Sequence, residues 1–480
     1  MAQNDTLVKG WQPVIGLEVH VQILTNTKLF SPAKNKFGED ANTLVDLIDM
    51  GLPGVLPVLN EGAMKQGIKF GLATSAKIAK TMIFDRKNYF YPDLPKGYQI
   101  TQLHFPIVKD GVVDIGNKKI RIHQAHLEED AGKSTHDMFE NETAIDLNRT
   151  GTPLLEIVSE PDLHSAKDAA TYFRTIQELV KYLKICDGDL SRGSMRCDAN
   201  VSIRKSEATE LGERTEIKNI NSFRFVEQAI NSEIQRQIEV LEAGGRIERE
   251  TRLFDEIRIE TRSMRSKEAS QDYRYFPDPD LLPLRISDEL ISEMRAKLPE
   301  LPDQKKERFM KDMKLDEYDA GLLCKDIELA SFFEAVVSHC EEPKMAANWL
   351  ITELLAKINR EEISVEYSPI SPLMLGELIT KIKDDTLSSK TAKTLFESLW
   401  KKPGDPIERI KSLGLEQIDD SNALEAIVNT VIKQNSDQVE QLKNGKTKVL
   451  GYLVGQIMKE SSGKANPKKV NELIRSILGL

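Results

Sequence analysis

Residues 195–204 alternate strictly between apolar and polar side chains. In a β-strand every second side chain lies on the same side, so the polar set would share one face. Arginine can hold a phosphate through two parallel hydrogen bonds, and here two arginines flank carboxylate and amide groups. The pattern favours a binding surface, with an ordinary solvent-facing strand as the alternative. The polar set consists of Arg196, Asp198, Asn200, Ser202 and Arg204.

A second alternating segment, near the start of the chain, carries groups that can bind a metal ion. Glu18, His20 and Gln22 would lie on one strand face, opposite apolar neighbours. Carboxylate oxygens are the ligands that Mg²⁺ prefers, whereas histidine is less usual for this ion and could instead polarise a bound water. A histidine with only a structural role is the alternative.

A third short segment, residues 214–219, repeats the period of two. It places Glu216 and Lys218 on the same side of another strand. A carboxylate beside an ammonium group suits a magnesium–phosphate site. An exposed ion pair explains the same pattern.

Three consecutive carboxylates, Glu128, Glu129 and Asp130, precede a Gly-Lys turn. Like charges packed together are unfavourable unless a cation or basic side chains offset them. An exposed acidic turn is the alternative. Combined with Glu18 and His20, the carboxylates favour a shared metal site.

Three further segments interleave basic residues with aromatic rings or proline: residues 84–93, 146–153 and 272–280. They contain Lys87 and Arg149. Basic groups beside flat rings can hold phosphates and stack on bases, which is how proteins bind single-stranded RNA ends. Each segment alone could be a rigid surface turn.

The net charge of −10 is unevenly distributed. From Lys443 onward eight basic residues face two acidic ones, a net +6 that leaves −16 for the rest of the chain. A local basic patch is sufficient to attract a phosphate backbone. A lysine-rich helix pair that only aids solubility is the alternative. The candidate RNA-binding lysines are Lys443, Lys446, Lys448, Lys459, Lys464, Lys468 and Lys469.

Length and patterning predict the domain organisation. A chain of 480 residues is too long for one core, and proline-rich boundaries predict an α+β domain over residues 1–290, a helical domain over 291–405 and a small helical tail over 406–480. Irregular ordering of strands and helices favours a largely antiparallel sheet. Apolar stripes predict helices after Ser165 and after Ser222, and residues 112–122 predict a hairpin.

Several function classes are excluded or disfavoured. The start of the chain lacks the features of a signal peptide and no apolar run could span a bilayer, which predicts a cytoplasmic protein. The four cysteines contain no Cys-x-x-Cys pair, so zinc is not expected. Neither a phosphate-binding P-loop nor a Gly-x-Gly-x-x-Gly fingerprint occurs, so ATP would need another architecture. No nucleophile set typical of a glutaminase is visible.

The motifs resemble the GatB family, the B subunits of the tRNA-dependent amidotransferases. The similarity covers essentially the whole chain and includes the small helical tail. The motifs that carry it are Ile-Gly-Leu-Glu-Val-His at 15–20, Phe-Asp-Arg-Lys-Asn-Tyr-Phe-Tyr-Pro at 84–92, Leu-Glu-Glu-Asp-Ala-Gly-Lys at 127–133, Asp-Leu-Asn-Arg at 146–149, Gly-Thr-Pro at 151–153, Met-Arg-Cys-Asp-Ala-Asn at 195–200, Glu-Ile-Lys-Asn at 216–219 and Asp-Tyr-Arg-Tyr-Phe-Pro at 272–277.

The resemblance implies a cradle domain similar to glutamine synthetase and guanidino kinases. It also implies a heterotrimer in which the partners are an amidase-type glutaminase, the A component, and a small protein, the C component. In this family ATP would phosphorylate the side-chain carboxylate of glutamate or aspartate misacylated onto tRNA, and ammonia from the glutaminase would then displace phosphate.

The resemblance assigns Mg²⁺ to Glu18, His20, Glu129 and Glu216, with Glu128 as the alternate. Phosphoryl transfer then needs mainly positioning and charge neutralisation. The implied catalytic residues are Lys87, Arg149, Arg196, Asp198, Asn200, Arg204 and Lys218, and three of these, Arg149, Arg196 and Arg204, would also bind ATP.

Two other functions fit the sequence less specifically. A tRNA-binding adaptor would use the basic tail and leave the cradle as a scaffold. A stand-alone ATP-dependent carboxylate–amine ligase would act on a small metabolite instead of on tRNA.

Overall fold

The structure is a computed structural model that describes residues 8, 10–264, 272–417, 421–443, 446–461 and 463–479. The chain forms two compact units, Met1–Pro299 and Glu300–Leu480. None of the described helices is both long and apolar enough to cross a membrane.

The first unit combines sixteen strands with four helices in its described residues. The strands are β1 Trp11–Gln22, β2 Lys77–Ile78, β3 Thr81–Met82, β4 Asp85–Asn88, β5 Tyr98–Thr101, β6 Val108–Asp114, β7 Lys119–Glu129, β8 Lys133–Phe139, β9 Glu142–Asp146, β10 Pro153–Ser159, β11 Met195–Lys205, β12 Thr215–Ile220, β13 Thr251–Asp255, β14 Glu260–Ser263, β15 Phe276–Pro277 and β16 Leu284–Arg285. The helices are α1 Glu61–Ala73, α2 Ala166–Tyr182, α3 Phe223–Glu242 and α4 Asp288–Ala296.

Nine of these strands form one sheet, in the order β14-β13-β12-β11-β1-β10-β7-β6-β2. All neighbours in it pair antiparallel except β12 and β13. The mixed α+β class with a largely antiparallel sheet is therefore confirmed. The likeness to glutamine synthetase and guanidino kinases stays a prediction.

The predicted helices begin where their capping residues place them. Ser165 accepts a hydrogen bond from the backbone of Asp168, and Ser222 accepts one from Phe225. Helices α2 and α3 pack against each other, and against β1 and β11. They cover the face of apolar side chains that alternates with the polar face of these strands. The predicted hairpin is formed by β6 and β7, with Gly116 at φ +91° in its turn.

The second unit is helical in its described residues. Its helices are α5 Pro302–Asp312, α6 Glu317–Leu323, α7 Ile327–Cys340, α8 Pro343–Trp349, α9 Leu355–Glu361, α10 Pro372–Lys383, α11 Ser389–Lys401, α12 Pro406–Leu413, α13 Ser421–Gln434, α14 Ser436–Lys443, α15 Lys448–Glu460 and α16 Pro467–Leu478, with a π-helical turn at Leu350–Leu354 and a 3₁₀ turn at Val365–Tyr367.

Two apolar clusters lie within this unit. One extends from Phe309 to Leu415, and the other from Leu424 to Ile474. Ile410 and Leu415 belong to the first cluster. Helix α12 therefore packs with the residues before the predicted boundary at 405/406, and the second cluster is built from α13–α16.

A buried ion pair holds the long loop between β1 and α1 against the rest of the first unit. The Lys28 ammonium lies 3.0 Å from Asp49, and both side chains are almost inaccessible to solvent. Asp49 also fills the space beside Gly151, where a Cβ atom would meet its carboxylate oxygen at 2.6 Å. Gly151 has φ +80°, a conformation that glycine adopts readily. The pair thus supports the turn that carries Arg149.

Replacing Asp49 with Ala should lower the free energy of unfolding by about 3–5 kcal/mol, because the Lys28 ammonium would remain buried without its partner. Urea unfolding of the chain measures the change. Asp110→Asn is the control, since it removes the exposed Lys77–Asp110 pair, suits the positive φ of this residue and should cost no more than about 1 kcal/mol. Equal losses in the two variants would contradict the bracing role of Asp49.

Candidate active site

The register of the central strands collects polar side chains on the open face of the sheet. On β1, Glu18 lies opposite Asp198 of β11, and His20 lies between Arg196 of β11 and Glu156 of β10. Directly opposed residues of an antiparallel pair point to the same side. The polar alternation predicted in β1 and β11 is therefore a continuous surface across these strands.

Four of these side chains form what we call the His–Glu cluster: His20, His126, Glu128 and Glu156. The His20 Nε2 atom lies 3.6 Å from Glu128 and 3.4 Å from Glu156. His126 Nε2 lies 3.1 Å from Glu156 and 3.7 Å from Glu128. Potential ligand atoms of His20, Glu128 and Glu156 all lie within 4.8 Å of one another. Their separation suits ligands of one divalent cation.

Attraction to the two glutamates favours the protonated forms of both histidines. Burial alone would lower the pKa of His20, but attraction to Glu156 and Glu128 raises it to about 8. Burial opposes the charge of His126 in the same way, and the same two carboxylates raise its pKa to about 10. In return, the two histidines hold the pKa of Glu156 well below its ordinary value against the effect of burial.

A second group, the Glu18 group, lies on the same face and comprises Glu18, Asp198, Asn200, Glu216 and Lys218. Asn200 donates a 2.8 Å hydrogen bond to Glu18 and lies opposite Glu216 of β12. Lys218 lies 3.2 Å from Glu216 and 3.5 Å from Asp198. Burial and repulsion from Glu156 raise the pKa of Glu18, and the hydrogen bond from Asn200 only partly offsets them. The group therefore holds more negative than positive charge.

The structure separates the two consecutive glutamates of β7. Glu128 joins the His–Glu cluster, whereas Glu129 points to the other side of the strand, as alternation requires. The Glu129 carboxylate accepts a 2.9 Å hydrogen bond from the backbone of Ile100 and pairs with Lys96. Its oxygens are thus already engaged away from His20. Of the two candidates, the geometry favours the alternate, Glu128.

Asp130 lies beside two of the predicted basic residues. Arg196 donates a 3.0 Å hydrogen bond to its carboxylate, and Arg149 approaches within 3.6 Å. Burial alone would raise the pKa of Asp130, but the two arginines hold it below its ordinary value. Gln22 donates a further hydrogen bond to Asp130, at 3.2 Å. Both guanidinium groups remain more than one third exposed and can still meet a ligand.

Two predicted basic residues lie outside these groups. Lys87, on β4, lies against tyrosine rings; burial alone would lower its pKa, but attraction to Glu128 raises it. Arg204 lies eight residues beyond Arg196 on β11, about 26 Å along the strand. It donates to Gln12 at 2.9 Å and to the Thr209 carbonyl at 3.2 Å. The structure therefore does not bring Arg204 together with the other candidate residues.

A cavity of about 320 Å³ adjoins the Glu18 group. Strand residues of β1, β10 and β11 form one wall, and the loop before β12 forms another. Arg214 and Arg249 line it together with Glu18 and Asn200. The cavity offers apolar walls beside two guanidinium groups and the carboxylates of Glu18 and Glu213, a combination that suits a ligand with an apolar part and an anionic group accompanied by a cation.

Sequence reasoning missed Glu156, His126 and the contact between Asp130 and Arg196. Glu156 had a usable signal, because it is the single charged residue in the apolar strand Pro153–Ser159. A lone charge in a buried strand is rarely tolerated without a partner. Its neighbours on β1 and β7 could not be read from the sequence, since strand order is not local information.

The predicted RNA-binding lysines belong to the helical tail. Five of them, Lys443, Lys446, Lys459, Lys468 and Lys469, have exposed side chains, and Lys464 is half-buried. The side chain of Lys448, the first residue of α15, lies outside the described part of the chain.

Comparison with known proteins places the chain in a family. Residues 13–292 match the profile of the GatB/GatE catalytic domain, and residues 331–478 match that of the GatB domain. The chain belongs to the GatB family. The B subunit of the aspartyl/glutamyl-tRNA(Asn/Gln) amidotransferase of Nitrosococcus oceani is 54% identical over 474 residues, 98% of this chain and 99% of the relative. The protein of the same name from Alkalilimnicola ehrlichii is 52% identical over the same shares.

The two glutamates of β7 give a direct test of the site within this GatB-family chain. Glu128→Gln should weaken Mg²⁺ binding by at least about tenfold, because a direct ligand should matter no less than the outer partners of a metal site. Glu129→Gln should leave Mg²⁺ affinity unchanged and lower the free energy of unfolding by about 3–5 kcal/mol, since buried Lys96 loses its counter-ion. Calorimetric titration and urea unfolding measure the two quantities. The reverse pattern would show that Glu129 is the ligand.

Proposed function

We propose that this chain is the tRNA- and ATP-handling subunit of an aspartyl/glutamyl-tRNA amidotransferase. It would activate the side-chain carboxylate of Glu-tRNA(Gln), Asp-tRNA(Asn) or both, for amidation by ammonia from a glutaminase partner. The observation that carries the proposal is the concentration of the His–Glu cluster and the Glu18 group on one open sheet face. Relatives that bear the name of this amidotransferase align with the chain almost from end to end.

The chemistry explains why such a site is needed. A carboxylate resists attack by ammonia because it is negatively charged and lacks a good leaving group. Transfer of the γ-phosphoryl group of ATP to a carboxylate oxygen gives an acyl phosphate and ADP. Ammonia then adds to the acyl carbon, phosphate leaves, and the amide remains on the tRNA. The protein has to hold these groups in line and offset their charge.

The donor set fits a divalent cation, with His20, Glu128 and Glu156 nearest one another and Glu18 and Glu216 on the same face. Carboxylate oxygens predominate, as Mg²⁺ requires. The raised pKa of Glu18 supports the fit, because carboxylates crowded in this way are stabilised by an added positive charge. A cation bound here would neutralise phosphate charge and orient the transferred group.

The remaining roles fall to the chain's own side chains. Arg196, which donates a hydrogen bond to Asp130, and Arg149, which donates to the carbonyls of Ala131 and Gly132, are exposed enough to take phosphate oxygens. Lys218 can neutralise charge near Glu216. The cavity lined by Arg214 and Arg249 is the best place for the nucleotide, because it adjoins Glu18 and combines apolar walls with guanidinium groups. Arg204, which lies apart, has no part in this assignment.

Partner proteins complete the proposal. The chain would work in a heterotrimer with the glutaminase A component and the small C component, and its basic tail would hold the body of the tRNA. Exposed lysines on α14 and α16 support the tail assignment, because clustered basic charge attracts a phosphate backbone.

A catalytic cradle and a non-catalytic adaptor differ in their response to the loss of the Glu18 group. The double variant Glu18→Gln with Glu216→Gln should reduce ATP-dependent amidation by at least about 100-fold in the reconstituted complex, as loss of preorganised charge typically does, and should keep tRNA affinity. Asp110→Asn, in an exposed ion pair, is the control with unchanged activity. Full amidation by the double variant would support the adaptor.

Removal of the tail tests its role separately. A chain that ends at Gln417 loses α13–α16 but keeps Ile410 and Leu415 in the first helical cluster. It should bind tRNA more weakly, and the dependence of affinity on salt should flatten by about 0.9 in log–log slope for each duplex phosphate that the tail no longer binds. Fluorescence titrations between low and moderate salt measure both. An unchanged slope would remove the tail from the tRNA interface.

A further inference from the structure

The Glu216 carboxylate is held at both of its oxygens. Thr251 donates a 2.8 Å hydrogen bond from its hydroxyl to the Oε2 atom. The Lys218 ammonium lies 3.2 Å from the Oε1 atom. The Glu216 side chain is only 27% exposed, so water can replace these partners only in part. The two contacts therefore set the direction in which the carboxylate faces the rest of the Glu18 group.

Strand β13 brings Thr251 to this position. It pairs in parallel with β12, and Thr251 lies opposite Glu216 in the register. The backbone amide of Glu216 donates a 3.0 Å hydrogen bond to the Glu250 carbonyl. Two residues before Thr251, Arg249 lines the cavity next to the Glu18 group. The short segment 249–251 thus serves both the cavity and the Glu18 group.

A buried carboxylate fixes β13 from the opposite side of the sheet. Glu233 of α3 is inaccessible to solvent, and it accepts a 2.8 Å hydrogen bond from the Thr261 hydroxyl of β14. Arg252 lies 3.5 Å from the same carboxylate and donates a 2.6 Å hydrogen bond to Glu250. Successive residues of a strand point to opposite sides. Arg252 therefore anchors β13 to α3, while Thr251 faces the open side.

We infer that Thr251 is a positioning residue for the divalent cation: its hydroxyl fixes Glu216 so that this carboxylate can meet the cation at the Glu18 group. The inference rests on the proposed function, since it names a residue that acts on the same site through Glu216. Loss of a partner that orients a metal-binding carboxylate typically weakens metal binding by about 10- to 100-fold.

The hydroxyl of Thr251 and the ammonium of Lys218 have different effects on Glu216. An ammonium group competes with a metal ion for the carboxylate, because both carry positive charge. A hydroxyl donates a single hydrogen bond, carries no charge and leaves the other lone pairs of the carboxylate free. Without the hydroxyl, Glu216 is free to turn both oxygens toward Lys218. Thr251 therefore prevents the carboxylate from closing on its neighbouring ammonium.

A purely structural role of Thr251 makes a different prediction. Threonine is common in strands because its branched side chain suits a pleated sheet. Valine has nearly the same shape but no hydroxyl, whereas serine keeps the hydroxyl and lacks the branch. A structural role depends on the branched shape, and a positioning role depends on the hydroxyl. The two substitutions therefore separate the two roles.

The first test measures Mg²⁺ binding to the full chain by calorimetric titration. Thr251→Val should weaken binding by about tenfold or more, whereas Thr251→Ser should retain most of the affinity. Thr143→Val is the matched control, since it removes an exposed hydroxyl from strand β9, and it should have no effect. Unaltered Mg²⁺ affinity in Thr251→Val, or an equal loss in Thr251→Ser, would overturn the inference.

A double-mutant cycle tests whether Thr251 acts through Glu216. In a chain that already carries Glu216→Gln, Thr251→Val should cause no further loss of Mg²⁺ affinity, because the carboxylate that the hydroxyl orients is gone. Residues that contact each other give non-additive effects of this kind. The same fold-change in both backgrounds would show that Thr251 acts independently of Glu216, and the positioning role would be refuted.

Amidation by the reconstituted complex gives a third measurement. With Thr251→Val, half-maximal activity should need roughly tenfold more Mg²⁺, and saturating Mg²⁺ should restore kcat. KM for aminoacyl-tRNA should stay unchanged, because the fold of the site is intact. Thr251→Ser should behave nearly as the unaltered complex does. A loss of kcat that saturating Mg²⁺ does not restore would contradict the positioning role.

Failure of this inference and failure of the proposed function give different results. If Thr251 does not position Glu216, Thr251→Val binds Mg²⁺ as the unaltered chain does, and the unaltered complex still amidates. If the proposed function is wrong, the unaltered complex performs no ATP-dependent amidation, whatever the Mg²⁺ affinity of the variant.

Discussion

Carboxylates brought close together on a partly buried sheet face must find positive charge, and this requirement organises the first unit. Glu156 is neutralised by His20 and His126, Asp130 by Arg149 and Arg196, and Glu129 by Lys96. Each pair joins residues from different strands or loops. The charge balance therefore also fixes how these elements meet. The Glu18 group, by contrast, retains an excess of negative charge, beside a cavity with two arginines.

The positions of the charged residues on their strands follow from the same need to bring carboxylates and positive groups together. A strand that runs through the middle of a sheet offers one face to the helices and one to the open side. Apolar residues of β1 and β11 take the first, against α2 and α3. The second face is then free for polar groups from neighbouring strands, because direct cross-strand neighbours lie only about 5 Å apart. Chemistry that needs several carboxylates can therefore be assembled from short, well-separated pieces of sequence.

The sequence predicted local features well because they depend on local physics. Period-two alternation indicated the polar faces of β1 and β11, and apolar stripes indicated the helices α2 and α3. Which strands are neighbours is not local, so Glu156 and His126 were missed. The sequence also could not show which of the two consecutive glutamates of β7 lies on the polar face, because either register of the strand is compatible with them. Arg204 was assigned to the site wrongly for the opposite reason. It shares a strand face with Arg196 but lies too far along the strand to bind the same ligand.

We expect one divalent cation to be held between β1, β7 and β10. Anomalous diffraction from crystals of the chain grown with Mn²⁺, an oxygen-preferring substitute for Mg²⁺, tests it most directly. We expect a single strong peak within ligand distance of His20, Glu128 and Glu156, with Glu18 on the same side. A peak beside Glu129 and Lys96, or a cation bound away from the His–Glu cluster, would contradict this assignment.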